Sequence, residues 1–270
     1  MNKSLVDYQK GKPLEFLLLI ILYCVGASSI PNIKIADLFH LGQSFDMLFY
    51  SILKAITVIF PVYLLFALNE QNVLKFNVKS FFKSSLILFP FYLVCLNNIP
   101  FVSVIGGNAK FIINKKFPIY CVLCLTISVF EEVCFRGLVL KNLENFKKIN
   151  TLFKKIVVGS LIFSVCHLVN AFSFNVVYLL MQLGYSFLIG LICCFSYYAS
   201  KSIYMPIILH FIFDFGGLMT DYGVACGNIW DKASILTTLI LSIFTVIYGI
   251  FVFINVYKEK ENESSDTKGE

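Results

Sequence analysis

The sequence predicts an all-α fold, a polytopic membrane helix bundle of about eight transmembrane helices. Two observations carry that reading. The first is composition: of 270 residues, 58% are hydrophobic, 16% aromatic and only 14% charged, with a mean hydropathy of +0.81, against about half apolar and about a quarter charged in a soluble domain. The second is arrangement. The apolar residues gather into runs near the roughly 20 residues that cross a bilayer, separated by short polar tracts. No internal repeat and no soluble domain is visible, so 1–270 reads as one integral membrane domain.

Taken in order, the runs extend over 14–30, 45–68, 84–100, 117–140, 156–172, 176–199, 203–219 and 233–257. The first lacks the small-residue pattern of a cleaved signal and is followed by further runs, so it is expected to remain in the membrane. The second carries one charge, Lys54, expected to snorkel toward a helix end. Glu131, Glu132 and Arg136 fall in the fourth, His167 and Asn170 in the fifth, and His210 with Asp214 in the seventh. The chain closes on the polar stretch KEKENESSDTKGE, 258–270, whose composition predicts disorder.

Charge sets the topology and excludes a class of partner. The net charge of +6 could suggest nucleic acid, but the lysines stand in short tracts between apolar runs, where they act as topological signals. The start of the chain (Lys3, Lys10, Lys12), the second connection (Lys75, Lys79, Lys83), the fourth (Lys141, Lys147, Lys148, Lys154, Lys155) and the sixth (Lys201) are basic. Both termini are therefore expected to be cytoplasmic, in a multi-pass protein of the cell membrane. Lys110, Lys115 and Lys116 in the third connection run against the pattern. Eight of the nine cysteines lie in or beside apolar runs, where a thiol is a small hydrophobe, so neither a disulfide framework nor a metal knuckle is expected.

Ionisable residues inside spans are costly and point to function. Glu132 and Arg136 stand four residues apart on one helical face, with the carboxylate on the N-terminal side, the better order for an ion pair. Arg136 is the single arginine among the 22 basic residues. Glu131 is turned about 100° away, which leaves it as the candidate general base or acid. Phe163, His167 and Asn170 share a face at i, i+4 and i+7, and His210 and Asp214 share one at i and i+4. His40 falls in a connection. Two of the three histidines and the only arginine thus lie in spans with carboxylates, and a bundle must turn such groups inward. One polar chamber within the bilayer follows.

The stretches EEVCFRG, FSVCH and HFIFD, in that order on separate runs, resemble the EExxxR, FxxxH and HxxxN/D/B motifs of the CPBP family, the CAAX-protease and bacteriocin-processing (Abi) intramembrane proteases. The resemblance covers about 117–219. It implies a bacterial endopeptidase of this type acting on a hydrophobic peptide or membrane-protein substrate, with Glu131 and His167 activating water and His210 with Asp214 on the oxyanion side. Glu132, Arg136, Phe163 and Asn170 would support them. Asp214 stands where asparagine is typical of eukaryotic prenyl proteases, and a carboxylate donates a hydrogen bond only when protonated, so orienting His210 is its alternative role. No cofactor is expected. Zinc on Glu131, His167 and His210, with an open position for water, is the alternative chemistry. A nonproteolytic bacteriocin-immunity or peptide-binding protein, and a transporter, are the alternative functions.

Overall fold

The computed structural model describes residues 3–29, 42–172 and 175–254. His40, the 258–270 tail and the outer ends of the first and last expected spans lie outside them. Helices account for the bundle: α1 (Lys3–Gly11), α2 (Pro13–Ser29), α3 (Gln43–Ala67), α4 (Val78–Ile87), α5 (Phe89–Asn97), the short α6 (Phe101–Ile105), α7 (Phe117–Glu132), α8 (Leu152–Cys166), α9 (Val176–Ser200), α10 (Tyr204–Gly217) and α11 (Lys232–Val252). α7 runs on through a π-helical stretch, Val133–Val139, into Leu140–Asn142.

Polar residues in the connections mark where the helices start. Asn77, Thr151, Asn175 and Asp231 each accept a hydrogen bond from the backbone N–H three residues on, satisfying one of the donors that a first turn leaves open.

All eight expected runs have helical counterparts, and the number that cross is lower than expected. Among the described residues, five helices are long and apolar enough to span a membrane, or up to seven if the bent pairs α1/α2 (103°) and α4/α5 (71°) each count as one. The α4/α5 break falls just before Pro90, which has no N–H to continue the ladder. α10 has 14 residues, about 21 Å of helix against a hydrocarbon core of about 30 Å. It falls short of that thickness, and it carries His210 and Asp214.

The connections segregate to two ends of the bundle. At one end β1 (Ala109–Phe111) pairs antiparallel with β2 (Ala225–Gly227), joining the third and seventh connections. Gln43 at the start of α3 bonds there to the Asp221 carbonyl and to Lys116. At the other end Ser80, Ser84 and Ser202 donate to carbonyls that tie the second and sixth connections together, and Asn142 donates to the Pro13 carbonyl. The lysines of the third connection therefore share a side with the seventh, as alternate crossing requires.

α7 is the central helix. From Glu132 to Leu140 every residue is buried, and α7 packs against α3 and α10. Lys54 does not snorkel: it is 5% exposed. It lies 11 residues into a 25-residue helix, about 16 Å from the start of α3, farther than a lysine stem can reach.

Candidate active site

The site is assembled on α7, α8 and α10, with α9 closing it. On α7, Glu132 and Arg136 form the expected i, i+4 pair, 2.8 Å between Arg136 Nη1 and Glu132 Oε1, and both side chains are sealed from the surface. The second guanidinium nitrogen, Nη2, donates to the Gly190 carbonyl on α9 at 3.0 Å. Gly190 allows that approach, because a Cβ there would meet Ser160 of α8 at 3.1 Å. The π-helical stretch begins just after the two glutamates, and such local widening of an α-helix recurs at functional sites.

Glu132 Oε1 also receives His210 from α10, with Nδ1 at 2.6 Å. A carboxylate held by a guanidinium can only accept, so Nδ1 carries the hydrogen. The other ring nitrogen, Nε2, is left facing two further carboxylates, Glu131 Oε2 at 3.7 Å and Asp214 Oδ2 at 3.4 Å. Glu131 Oε2 is buried and has no hydrogen-bond partner. Asp214 is positioned by an α10 that is fixed close to α5: the Asn98 side chain donates to the Phe213 carbonyl at 2.6 Å, and a Cβ at Gly216 would overlap the Asn98 backbone at 2.4 Å.

His167 stands where α8 ends. Its backbone N–H turns to Ser164 and Val165, so the tightening last turn frees the Phe163 carbonyl, which takes imidazole Nδ1 at 2.9 Å. A carbonyl only accepts, so this nitrogen carries the hydrogen and Nε2 has the free lone pair. The Phe163 ring joins the parts: it meets the rings of Phe135, His167 and His210 at 4.9, 4.9 and 5.7 Å and lies under the Arg136 guanidinium at 4.9 Å. Asn170 instead donates to Gln182 on α9 at 3.0 Å, which ties the segment after α8 to α9 and does not reach the carboxylates.

Among the described residues, the donors gathered within 4.8 Å of one another are Glu132, Cys193 and His210, a different set from Glu131, His167 and His210. These residues are a possible ligand set whose fit is mixed: Glu132 Oε1 already accepts from both Arg136 and His210 and the Cys193 thiol donates to the Pro206 carbonyl at 3.7 Å, whereas Glu132 Oε2 has no hydrogen-bond partner.

Cys193, Gly190 and Lys54 are the parts that sequence reasoning passed over. The first was a small hydrophobe among nine, the second an ordinary small residue. Lys54 had a signal: its central position in a long apolar run.

The fold and the site together define a multi-pass membrane protein that holds carboxylates, imidazoles and a guanidinium in its interior. Residues 113–216 match the family model described as type II CAAX prenyl endopeptidase Rce1-like, which supports the CAAX-protease resemblance of the motifs. That segment spans α7 to α10 and contains every residue just placed from Glu131 to Asp214. The match supports a CAAX-type membrane protease as the class. No curated protein and no solved structure matches it.

Proposed function

We propose that the protein is a glutamate-based intramembrane endopeptidase that hydrolyses a peptide bond in a hydrophobic or membrane-associated substrate. The observation that carries this reading is the uncommitted oxygen of Glu131, buried without a partner and 3.7 Å from the free nitrogen of His210. Peptide hydrolysis needs a base for water, donors for the oxyanion and an acid for the leaving amine. Glu131 takes the proton as the water oxygen attacks the carbonyl carbon. His167, whose Nε2 has a lone pair, accepts a hydrogen bond from the same water and orients it, and Glu131 returns the proton it took to the amine nitrogen as the C–N bond breaks.

His210 supplies the donor. Its Nδ1–H is fixed on Glu132, and a hydrogen on Nε2, between Glu131 and Asp214, points to where negative charge develops. Asp214 works as an acceptor that steers this ring. No step is routed through a metal: Glu131 and the two imidazoles supply the base and the donor. The apolar walls select an apolar peptide, and the lysine bias of the connections supports cytoplasmic termini.

The test uses purified protein and two internally quenched peptides of one apolar sequence, one S-farnesylated on a cysteine four residues from its end, the other unmodified. Wild type should release fragments identifiable by mass, with Glu131→Gln silent on both. Exhaustive chelation should leave the rate unchanged, and the active protein should carry no stoichiometric zinc. Activity that disappears with the metal and returns with it would replace the direct mechanism, while cleavage of neither peptide would count against proteolysis.

A further inference from the structure

Asp214 faces His210 Nε2 at 3.4 Å, beyond the usual length of a hydrogen bond from nitrogen, so a small shift of its backbone makes or breaks the contact. That backbone is the end of a helix, where turns loosen and fray. Asp214 is the fourth residue from the end of α10, and the chain leaves the helix at once. The Leu218 N–H still returns to the Asp214 carbonyl at 3.0 Å, whereas the Met219 N–H turns to Gly216 at 3.5 Å. The Phe215 carbonyl is thereby released.

A side chain of α7 takes it. Tyr120, fully buried, donates its hydroxyl to the Phe215 carbonyl and lies 3.5 Å from the Asp214 carbonyl. From α5, the Asn98 amide donates to the Phe213 carbonyl at 2.6 Å, and Gly217 admits that amide, because a Cβ there would meet Asn98 Nδ2 at 2.9 Å. The carbonyls on both sides of Asp214 are held by side chains of two other helices. Packing alone does not call for the hydroxyl. The Tyr120 ring lies 5.4 Å from that of Phe215 and 5.9 Å from that of Tyr222, an aromatic cluster that a phenylalanine would fill as well, and a buried hydroxyl is costly unless bonded.

We infer that Tyr120 and Asn98 are positioning residues, a two-point clamp on the last turn of α10 that sets the Asp214 carboxylate against His210 and so steers the imidazole. The catalytic part of this assignment rests on the proteolytic reading, and the clamp itself is testable without it.

The experiment uses the full chain in detergent with Tyr120→Phe, which removes one hydroxyl, and Asn98→Ala, read by thermal unfolding, amide hydrogen exchange and cleavage. With Tyr120→Phe the unfolding temperature should stay close to that of wild type, while amides at 217–219 exchange about fivefold faster or more and those at the start of α10 do not change. On the peptide that wild type cleaves, kcat should fall about tenfold with KM little changed. In the Asp214→Ala background, followed in single turnover, the same change should cost little more, because residues that act as one unit are not additive. Asn98→Ala should act in the same direction on exchange and on kcat. Unchanged exchange at 217–219 in both variants overturns the clamp. Faster exchange with unchanged kcat, or a loss of equal size with and without Asp214, overturns the positioning role. A rate that falls only in step with the unfolding temperature reduces Tyr120 to packing. A wild type that cleaves neither peptide removes the proteolytic reading, and exchange alone then decides the clamp.

Discussion

Glu131 and Glu132 are adjacent on α7, yet one helix turn gives them opposite surroundings, and the comparison separates what holds the bundle from what can react in it. Glu132 is fully buried, and one of its oxygens accepts from a guanidinium and an imidazole at 2.8 and 2.6 Å. Glu131 retains some exposure, 13%, and meets no donor with the oxygen that faces His210. A carboxylate fully buried and tied through one oxygen to a guanidinium and an imidazole is architecture, although its Oε2 has no partner. One that faces an imidazole at a distance can still take a proton.

The largest expected effect separates the two directly. Glu131→Gln keeps the shape but removes the proton acceptor, so cleavage should fall by about 10² to 10⁴, the range for a lost general base, with the unfolding temperature nearly unchanged. Glu132→Gln should instead reduce the folded yield before any rate is measured. Equal folding of the two variants together with equal activity would erase the distinction.

Next comes the partner of the sealed carboxylate. Arg136→Ala leaves Glu132 buried beside a neutral hole, and breaking such a pair costs about 3 to 5 kcal/mol. Chemical denaturation in mixed micelles should show that loss. Full stability of the variant would mean that His210 alone compensates Glu132.

A smaller effect tests the wall behind Arg136. Gly190→Ala places a methyl 3.1 Å from Ser160, which forces α8 and α9 apart at a cost of about 1 to 3 kcal/mol, and the Gly190 carbonyl retreats from Nη2. A reduced unfolding temperature with a several-fold lower cleavage rate is the expected result; an unaltered protein would show that the two helices can part without disturbing Glu132.

The mildest test moves to a carboxylate outside the chamber that is exposed and still fully engaged. Asp231 caps α11, accepting from the Ser234 N–H at 2.8 Å and the Asn108 amide at 2.7 Å, and those bonds, the Ser234 N–H first, hold its carboxyl below the ordinary aspartate range. A depressed value in the folded chain means that the contribution is complete above the unfolded value near 3.9 and is lost as pH falls through the folded one. Thermal unfolding should thus be flat from neutral pH to about 4 and decline below it. Asp231→Asn, which still caps, should show a shallower acid decline, and an identical one would assign the acid sensitivity to another group.

How much of the site was legible depends on the range over which each contact acts. The Glu132–Arg136 pair and the shared face of His210 and Asp214 are separated by four residues, and helical period alone brings them together. His210 reaching Glu132 spans 78 positions, and only the packing of α10 on α7 makes it. The same packing leaves Nε2 of His210, and not Nδ1, facing Glu131 and Asp214. Lys54 was misjudged because a helix end was taken to be in reach, whereas its place in the middle of α3 requires an interior partner.

By itself the sequence determined the class: apolar runs of spanning length require helices in lipid, where every backbone group must be bonded within its own segment. It also singled out the candidates for the chemistry, since charges survive in such runs only when turned inward. Tertiary structure alone decided which of two neighbouring glutamates is fully sealed and which keeps some exposure, that the short α10 brings its histidine onto Glu132, and that Lys54 is buried inside the bundle. The physical reason is that helical period acts over four residues, while charge compensation in a low-dielectric interior is settled by whichever groups distant segments bring within a few ångströms.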